Sequence, residues 1–231
     1  MRFGHSPEMW QTFPELVAGV IQVSGIHERA DVSAAIARHT AAAQAQLQSG
    51  PESDLPAIQA WRRAFARMGL KPTQYRCASE ALLRRLRKEG NLPRLHPLVD
   101  LCNAVSVAHA IPVAAIDLAH VVGNLQVRHA TGDEDYLAFS GEHERPEPNE
   151  VTFADDAGRS HARRWTNRQS ALSAIQPTTS HVLIVAEALH DGALSDIAEL
   201  LATLLADIAS AWGVQGRSGV LSKEGPWFEC A

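Results

Sequence analysis

The stretch from Pro93 to Asp117 constrains the fold of this chain most strongly, because it is the longest apolar segment and yet contains spaced polar residues. Asp100, Asn103 and Ser106 follow one another at intervals of three residues. On an α-helix this spacing places their side chains on one face. Buried polar groups need hydrogen-bond partners, which the protein or a ligand can supply. Two interpretations stay open: a polar face that links neighbouring elements, and the wall of a binding site.

Charge and composition narrow the class of partner. The chain has 231 residues, of which 45% are hydrophobic and 20% charged, as in ordinary globular proteins, and its net charge is −5. Nucleic-acid binding therefore requires a local basic patch. One third of the chain offers such a patch through ten arginines and lysines. They are Arg62, Arg63, Arg67, Lys71, Arg76, Arg84, Arg85, Arg87, Lys88 and Arg94.

Cysteine usage and apolar run lengths predict the compartment. Cys77, Cys102 and Cys230 lack the spacing of metal ligands, and one of them would remain unpaired, which favours a reducing setting. The first residues lack the basic and apolar regions of a signal peptide, and no apolar run reaches the length of a membrane span. We expect a cytoplasmic protein that binds neither membrane nor DNA.

Common catalytic and cofactor motifs are absent from the sequence. It contains no GxGxxG or P-loop lysine motif, no GxSxG elbow and no HExxH pair, and its eleven histidines are scattered. We therefore predict no cofactor and no metal site.

The order of helical and strand patterns predicts one α+β domain over residues 1–215. Residues 216–231 are rich in Gly and Ser, and we expect them to form a flexible tail. The predicted strands are Leu16–Ile26, Val113–Asp117, Leu125–Ala130, Val151–Asp155 and Val182–Ala186. The predicted helices are Asp31–Gln48, Ser53–Met68, a helix from Ser79 to before Gly90, the apolar stretch before Pro112, and Leu194–Trp212.

The segment 162–170 is rich in hydrogen-bond donors around one large aromatic residue, Trp165. Its arginines suit recognition of a carboxylate, a phosphate or a ribose. Structural ion pairs are the alternative interpretation, and both stay open. The arginines are Arg163, Arg164 and Arg168, and the candidate carboxylates are Asp155, Asp156 and Glu187.

Several separated motifs occur in an order that resembles the B3/4 domain, the editing module of the phenylalanyl-tRNA synthetase β-subunit, which also occurs as free-standing proteins. The resemblance covers roughly residues 55–189. The motifs are Trp61-Arg62-Arg63-Ala64-Phe65, Met68-Gly69-Leu70-Lys71-Pro72-Thr73, Glu80-Ala81-Leu82, Leu92-Pro93, Leu98 to Ser106, Ile111-Pro112, Asp117, Val127-Arg128-His129-Ala130, Glu150-Val151, Asp155 and Arg163 to Gln169.

The resemblance implies an α+β fold with a central mixed or antiparallel sheet flanked by helices. It also implies a cleft that binds the aminoacylated 3′ end of a tRNA and hydrolyses the ester of a wrong amino acid. Glu187 is the nearest counterpart of the glutamate that reads the tyrosine hydroxyl in the synthetase. Three departures alter this site: Cys102 replaces a threonine before Asn103, Ala114 replaces a histidine, and the bulkier segment 165–169 replaces a glycine-rich loop.

The resulting hypothesis is hydrolysis of a mischarged aminoacyl-tRNA in trans. The alternatives are a non-catalytic module that binds tRNA or an amino-acid derivative, and a carrier or hydrolase for an unrelated small molecule. The oligomeric state stays open. The predicted catalytic residues are Asn103 and Ser106, and the predicted substrate-binding residues are Asp100, Arg164, Trp165, Asn167, Arg168 and Glu187.

Overall fold

A computed structural model describes residues 1–230. Every predicted helix and strand in the preceding section is present. None of the helices within these residues combines the length and apolarity needed to cross a membrane. The helices of this range are α1 (Pro7–Thr12), α2 (Ser33–Gln48), α3 (Pro56–Arg67), α4 (Ala78–Glu89), α5 (Pro97–His109) and α6 (Ala193–Trp212).

The strands also include several short ones that the sequence patterns did not indicate. In chain order they are β1 (Arg2–His5), β2 (Val17–Ser24), β3 (Val113–Asp117), β4 (Leu125–His129), β5 (Asp135–Leu137), β6 (His143–Glu144), β7 (Val151–Asp155), β8 (Arg159–Arg163), β9 (Arg168–Gln169), β10 (His181–Ala188), β11 (Arg217–Leu221) and β12 (Trp227–Glu229).

Two sheets account for the strands in the described part of the chain. One is antiparallel throughout, in the order β11–β2–β10–β3. The other runs β12–β1–β4–β7–β8–β5–β6, with β9 paired to β8, and it is mixed because β1–β4 and β5–β8 are parallel pairs. The α+β fold class and the mixed and antiparallel pairing are therefore confirmed.

Strand β10 shows how the layers are stacked. Successive side chains on a strand point to opposite faces. Val182 and Ile184 belong to the core shared with α5 and α6, whereas Leu183 and Val185 belong to the core shared with the mixed sheet and α3. The antiparallel sheet is therefore buried on both faces, with α5 and α6 on one side and the mixed sheet and α3 on the other.

The polar residues of α5 have structural partners. Asp100 Oδ1 accepts a hydrogen bond from the Leu95 backbone N–H at 2.8 Å and so ties down the loop before the helix. Ser106 Oγ donates to the Ile111 carbonyl at 2.6 Å, next to the left-handed residue Ala110 that ends the helix. These contacts support the first interpretation of the polar face, because they link the helix to its own flanking segments.

The flexible tail predicted for residues 216–231 is wrong for most of that segment. Strand β11 pairs with β2, and β12 pairs with β1. The glycines that lowered the predicted order have a packing role, because a Cβ on Gly219 would lie 3.1 Å from the ring of Phe228. Phe228 and Leu221 are buried by this pairing, so the segment contributes to the core.

Candidate functional site

A cavity of about 80 Å³ lies where β3 and β10 of one sheet face β7, β8 and the β8–β9 loop of the other. Nine of the fifteen described side chains that line it are apolar, and five of these belong to the core between the sheets: Ile116, Phe153, Ala162, Trp165 and Val185. The described residues that line it are Ala78, Pro112, Val113, Ala114, Ile116, Phe153, His161, Ala162, Trp165, Thr166, Asn167, Arg168, Gln169, Val185 and Glu187.

Glu187 reaches the cavity through the two-residue period of β10. Leu183, Val185 and Glu187 share the strand face that points away from the helices. Val185 pairs across the sheet with Ala114, so the two form one wall. Glu187 is only 2% exposed. The strand therefore places a carboxylate among apolar neighbours, and burial of a charge is costly unless the charge is paired and hydrogen-bonded.

Two side chains hold the carboxylate of Glu187 at one of its oxygens. Oε1 accepts a hydrogen bond from Trp165 Nε1 at 2.9 Å and lies 2.6 Å from His5 Nε2. The Trp61 indole N–H donates to the backbone carbonyl of Glu187 at 3.2 Å. The second oxygen, Oε2, has no hydrogen-bond partner among residues 1–230. This arrangement orients the carboxylate and leaves one oxygen available to a ligand or a water molecule.

Trp165 is fixed from several sides. Its indole is fully buried and meets Trp61 edge-on at 4.8 Å and Phe13 at the same centroid distance. Its backbone N–H donates to Val151 O at 2.7 Å. Trp165 and Arg164 have φ angles of +59° and +49°. This region favours glycine, and each such residue costs roughly 1–3 kcal/mol, so the surrounding contacts must hold the turn in place.

Ion pairs hold the two strands that carry this turn. The guanidinium of Arg163 donates to Glu150 at 2.9 and 3.0 Å, and the Arg164 backbone N–H donates to the same carboxylate at 2.9 Å. Arg168 bonds Glu144 at 3.0 Å, and this hydrogen bond lowers the pKa of the Glu144 carboxyl. The arginines of the segment therefore form structural ion pairs. The carboxylates proposed as their partners were the wrong ones, because Glu144 and Glu150 lie beside the hairpin.

His161 also lines the cavity, and both of its ring nitrogens face protein atoms. Nδ1 lies 2.8 Å from Ser173 Oγ, and Nε2 lies 3.3 Å from Asp155 Oδ2 in an ion-pair contact. Burial would raise the pKa of the Asp155 carboxyl, but His161 and backbone N–H groups together hold it well below its usual range. Within residues 1–230, no three His, Cys, Asp or Glu side chains are grouped so as to hold a metal ion.

The structure brings together half of the predicted site residues. Trp165, Asn167, Arg168 and Glu187 all line the cavity. Asn167 is held by its amide, whose nitrogen donates to the Arg76 carbonyl at 2.8 Å.

The other predicted site residues lie away from the cavity. Asp100, Asn103 and Ser106 are not among the described residues that line it, because α5 packs against other helices on the far side of the antiparallel sheet. Their assignment to a site stays a prediction, and it does not concern this cavity. Arg164 is not among the lining residues either, and its guanidinium lies 4.9 Å above the ring of Tyr75.

The sequence patterns missed His5 and His161. His5 is 182 residues from Glu187 in the chain, and only the pairing of β1 within the mixed sheet brings them together. No local motif marks either histidine, because the position of each one at the site depends on which strands pair over long distances in the chain.

Comparison with known proteins fits this architecture. The family model described as "B3/4 domain" matches residues 60–203, which is more than half of the chain. The chain belongs to the B3/4 domain family. The matched range contains every described residue that lines the cavity.

Individual relatives are similar over smaller shares of their own length. The phenylalanine–tRNA ligase β-subunit of Shewanella oneidensis is 34% identical over 73 residues, which are 32% of this chain and 9% of that protein. An N-terminal fragment of the phenylalanyl-tRNA synthetase β-subunit from Pyrococcus horikoshii aligns in structure with a TM-score of 0.48 and 8% identity. That alignment covers 91% of this chain and 48% of the fragment.

Proposed function

We propose that this B3/4 chain hydrolyses the ester of a mischarged aminoacyl-tRNA in trans, and that Glu187 is the general base. The observation that carries the proposal is the buried Glu187 carboxylate, which is held at Oε1 by Trp165 and His5 and keeps Oε2 free beside the cavity. A carboxylate held in this way can orient a water molecule and take its proton during attack on an acyl carbon.

The proposed reaction needs only water as co-reactant. The water oxygen bonds to the ester carbonyl carbon while one of its protons passes to Glu187 Oε2. The bond between that carbon and the ribose oxygen then breaks, and the ribose oxygen takes the proton back from the carboxyl group. The products are the free amino acid and the uncharged tRNA. Because the ester is already activated, positioning of the water and of the ester supplies much of the acceleration.

Charge near the cavity supports tRNA as the partner. Residues 52–100 carry ten basic and five acidic side chains, although the whole chain has a net charge of −5. Three of the basic side chains, Arg63, Lys71 and Lys88, are exposed and form no ion pair within residues 1–230. Helix α4, which carries Lys88, starts at Ala78 in the lining of the cavity. Phosphate contacts of this kind bind nucleic acid without reading its sequence.

The deciding experiment is a deacylation assay with a panel of charged tRNAs. We expect at least one aminoacyl-tRNA to lose its amino acid faster with the protein than without it, and Glu187→Gln to abolish most of the difference. Glu199→Gln is the matched control, because Glu199 is an exposed residue of α6 in the helix layer. If no charged tRNA in a complete panel is deacylated, the proposal is wrong.

A second candidate function is binding of aminoacyl-tRNA without turnover. It is favoured by Ala114, which contributes no titratable group to the cavity, and by His161, whose ring nitrogens both face protein atoms. Under this alternative, tRNA affinity falls with ionic strength while the ester stays intact.

The binding arm of the experiment uses Lys71→Gln/Lys88→Gln, with Arg29→Gln as control because Arg29 is an exposed residue of the loop before α2. We expect the double variant to reduce the salt dependence of tRNA affinity by about 1–2 in the log–log slope. The control should leave it unchanged. An unaltered slope in the double variant would exclude this surface as the RNA contact.

A further inference from the structure

We propose that the cavity selects aminoacyl esters with small side chains, of about the size of alanine or serine, and that Trp165 is the residue that excludes aromatic ones. This inference rests on the proposed function, because it assigns a substrate class to the same site. It goes beyond that function by naming the specificity-determining residue and the direction in which its replacement changes the preference.

The volume of the cavity limits the side chains that it can hold. It measures about 80 Å³. A protein cavity that holds a benzene ring measures about 150 Å³. The cavity at Glu187 therefore has about half the volume of one that holds a benzene ring. An aromatic side chain enters only if a wall moves.

The side chain of Trp165, which forms one wall of the cavity, cannot easily move. The indole ring is fully buried between Trp61 and Phe13, and its N–H is committed to Glu187 at 2.9 Å. Rotation of the ring out of the cavity would break that hydrogen bond and both aromatic contacts. It would also leave the buried Glu187 carboxylate with one partner fewer, and an unsatisfied buried polar group is costly.

A second wall of the cavity is held by strand pairing. Ala114 and Val185 are cross-strand partners in a sheet that is covered on both faces. Side chains packed to the density of a protein interior resist insertion of extra atoms, which typically costs 1–3 kcal/mol. The volume is thus preset on both sides, so the cavity discriminates between esters by size.

The test compares single-turnover deacylation of alanyl- and seryl-tRNA with that of phenylalanyl- and tyrosyl-tRNA. We expect the wild-type protein to act on the small esters at least about 100-fold faster, in the range that pocket size can achieve. Trp165→Leu should open the cavity and narrow that ratio at least tenfold. Ala114→Leu should fill the cavity and slow the small esters. Trp212→Phe is the matched control, because this buried tryptophan also donates its indole N–H but lies in the helix layer.

Binding of amide analogues separates the failure of this inference from the failure of the proposed function. The probes are 3′-deoxy-3′-(alanylamino)adenosine and its phenylalanyl counterpart, whose amide bonds are not esters. Selective binding of the alanyl probe supports the size limit even if no ester is hydrolysed. Equal or tighter binding of the phenylalanyl probe, binding of neither probe, or faster hydrolysis of the aromatic esters overturns it. These wild-type results decide the matter even if Trp165→Leu fails to fold.

Discussion

Replacement of Glu187 by glutamine is the most informative single perturbation of this protein. Gln has the same shape as Glu and can still accept the hydrogen bond that Trp165 Nε1 donates at 2.9 Å. It removes the negative charge that faces His5 at 2.6 Å, and it removes the free carboxylate oxygen that takes a proton in the proposed reaction. The substitution should therefore change the free energy of unfolding and the deacylation rate to different degrees, and both quantities can be measured.

The expected loss of stability is modest. Hydrogen bonds to a charged group contribute about 1.5–3 kcal/mol, and neutral ones about 0.5–1.5 kcal/mol. Since two bonds to Oε1 change from charged to neutral, we expect the free energy of unfolding to fall by about 2–3 kcal/mol. For a chain of this size the corresponding decrease in Tm is roughly 4–12 °C. The variant should therefore remain folded at 25 °C.

The expected loss of activity is much larger. A positioned general base typically contributes about 100- to 10,000-fold to the rate. We expect the single-turnover rate of Glu187→Gln on the best aminoacyl-tRNA to fall by at least 100-fold, while its circular dichroism spectrum stays that of the wild type. A rate within twofold of the wild type would refute the role of Glu187, whatever the change in Tm.

Three further predictions concern groups outside the reacting centre. Glu150→Ala should lower the free energy of unfolding by about 3 kcal/mol, measured by chemical denaturation, because it removes two hydrogen bonds from the buried Arg163 guanidinium, which then keeps only its contact with Glu144. Burial would raise the pKa of the Glu134 carboxyl, but hydrogen bonds from backbone N–H groups and an arginine lower it to about 2. This carboxylate therefore stabilises the fold fully above about pH 4.5, and the stabilisation is lost as the pH falls towards 2. Glu134→Gln should become less destabilising over that interval. Burial raises the pKa of Cys77 and Cys102 to about 12, so iodoacetamide should label half-exposed Cys230 first in the native protein and the other two only after unfolding.

Much of the fold was predictable because its main elements carry strong local patterns. The apolar periodicity of Leu194–Trp212 and the β-branched run before Ser24 correspond to α6 and β2. The short strands were not predictable. β12 has only three residues, and its stability comes from pairing with β1 at the other end of the chain. Local propensity carries no information about such a long-range partner.

The residues of the candidate site also divide into those that local sequence marks and those that long-range pairing brings in. Trp165 stood out as a large aromatic residue in a polar segment, whereas Glu187 was indicated by the resemblance to the B3/4 domain. Helical spacing shows that Asp100 and Ser106 share a face of α5 but not what that face meets. In the structure these two side chains bond the segments that flank their own helix. His5 became visible only once the order of the mixed sheet placed it beside Glu187.

The deacylation rate of the wild-type protein on a complete panel of charged tRNAs, with protein in excess over tRNA, distinguishes hydrolysis from binding alone. We expect accelerated hydrolysis of alanyl- or seryl-tRNA, with phenylalanyl- and tyrosyl-tRNA at least about 100-fold slower. Release of every amino acid at its spontaneous rate would contradict the proposed hydrolysis.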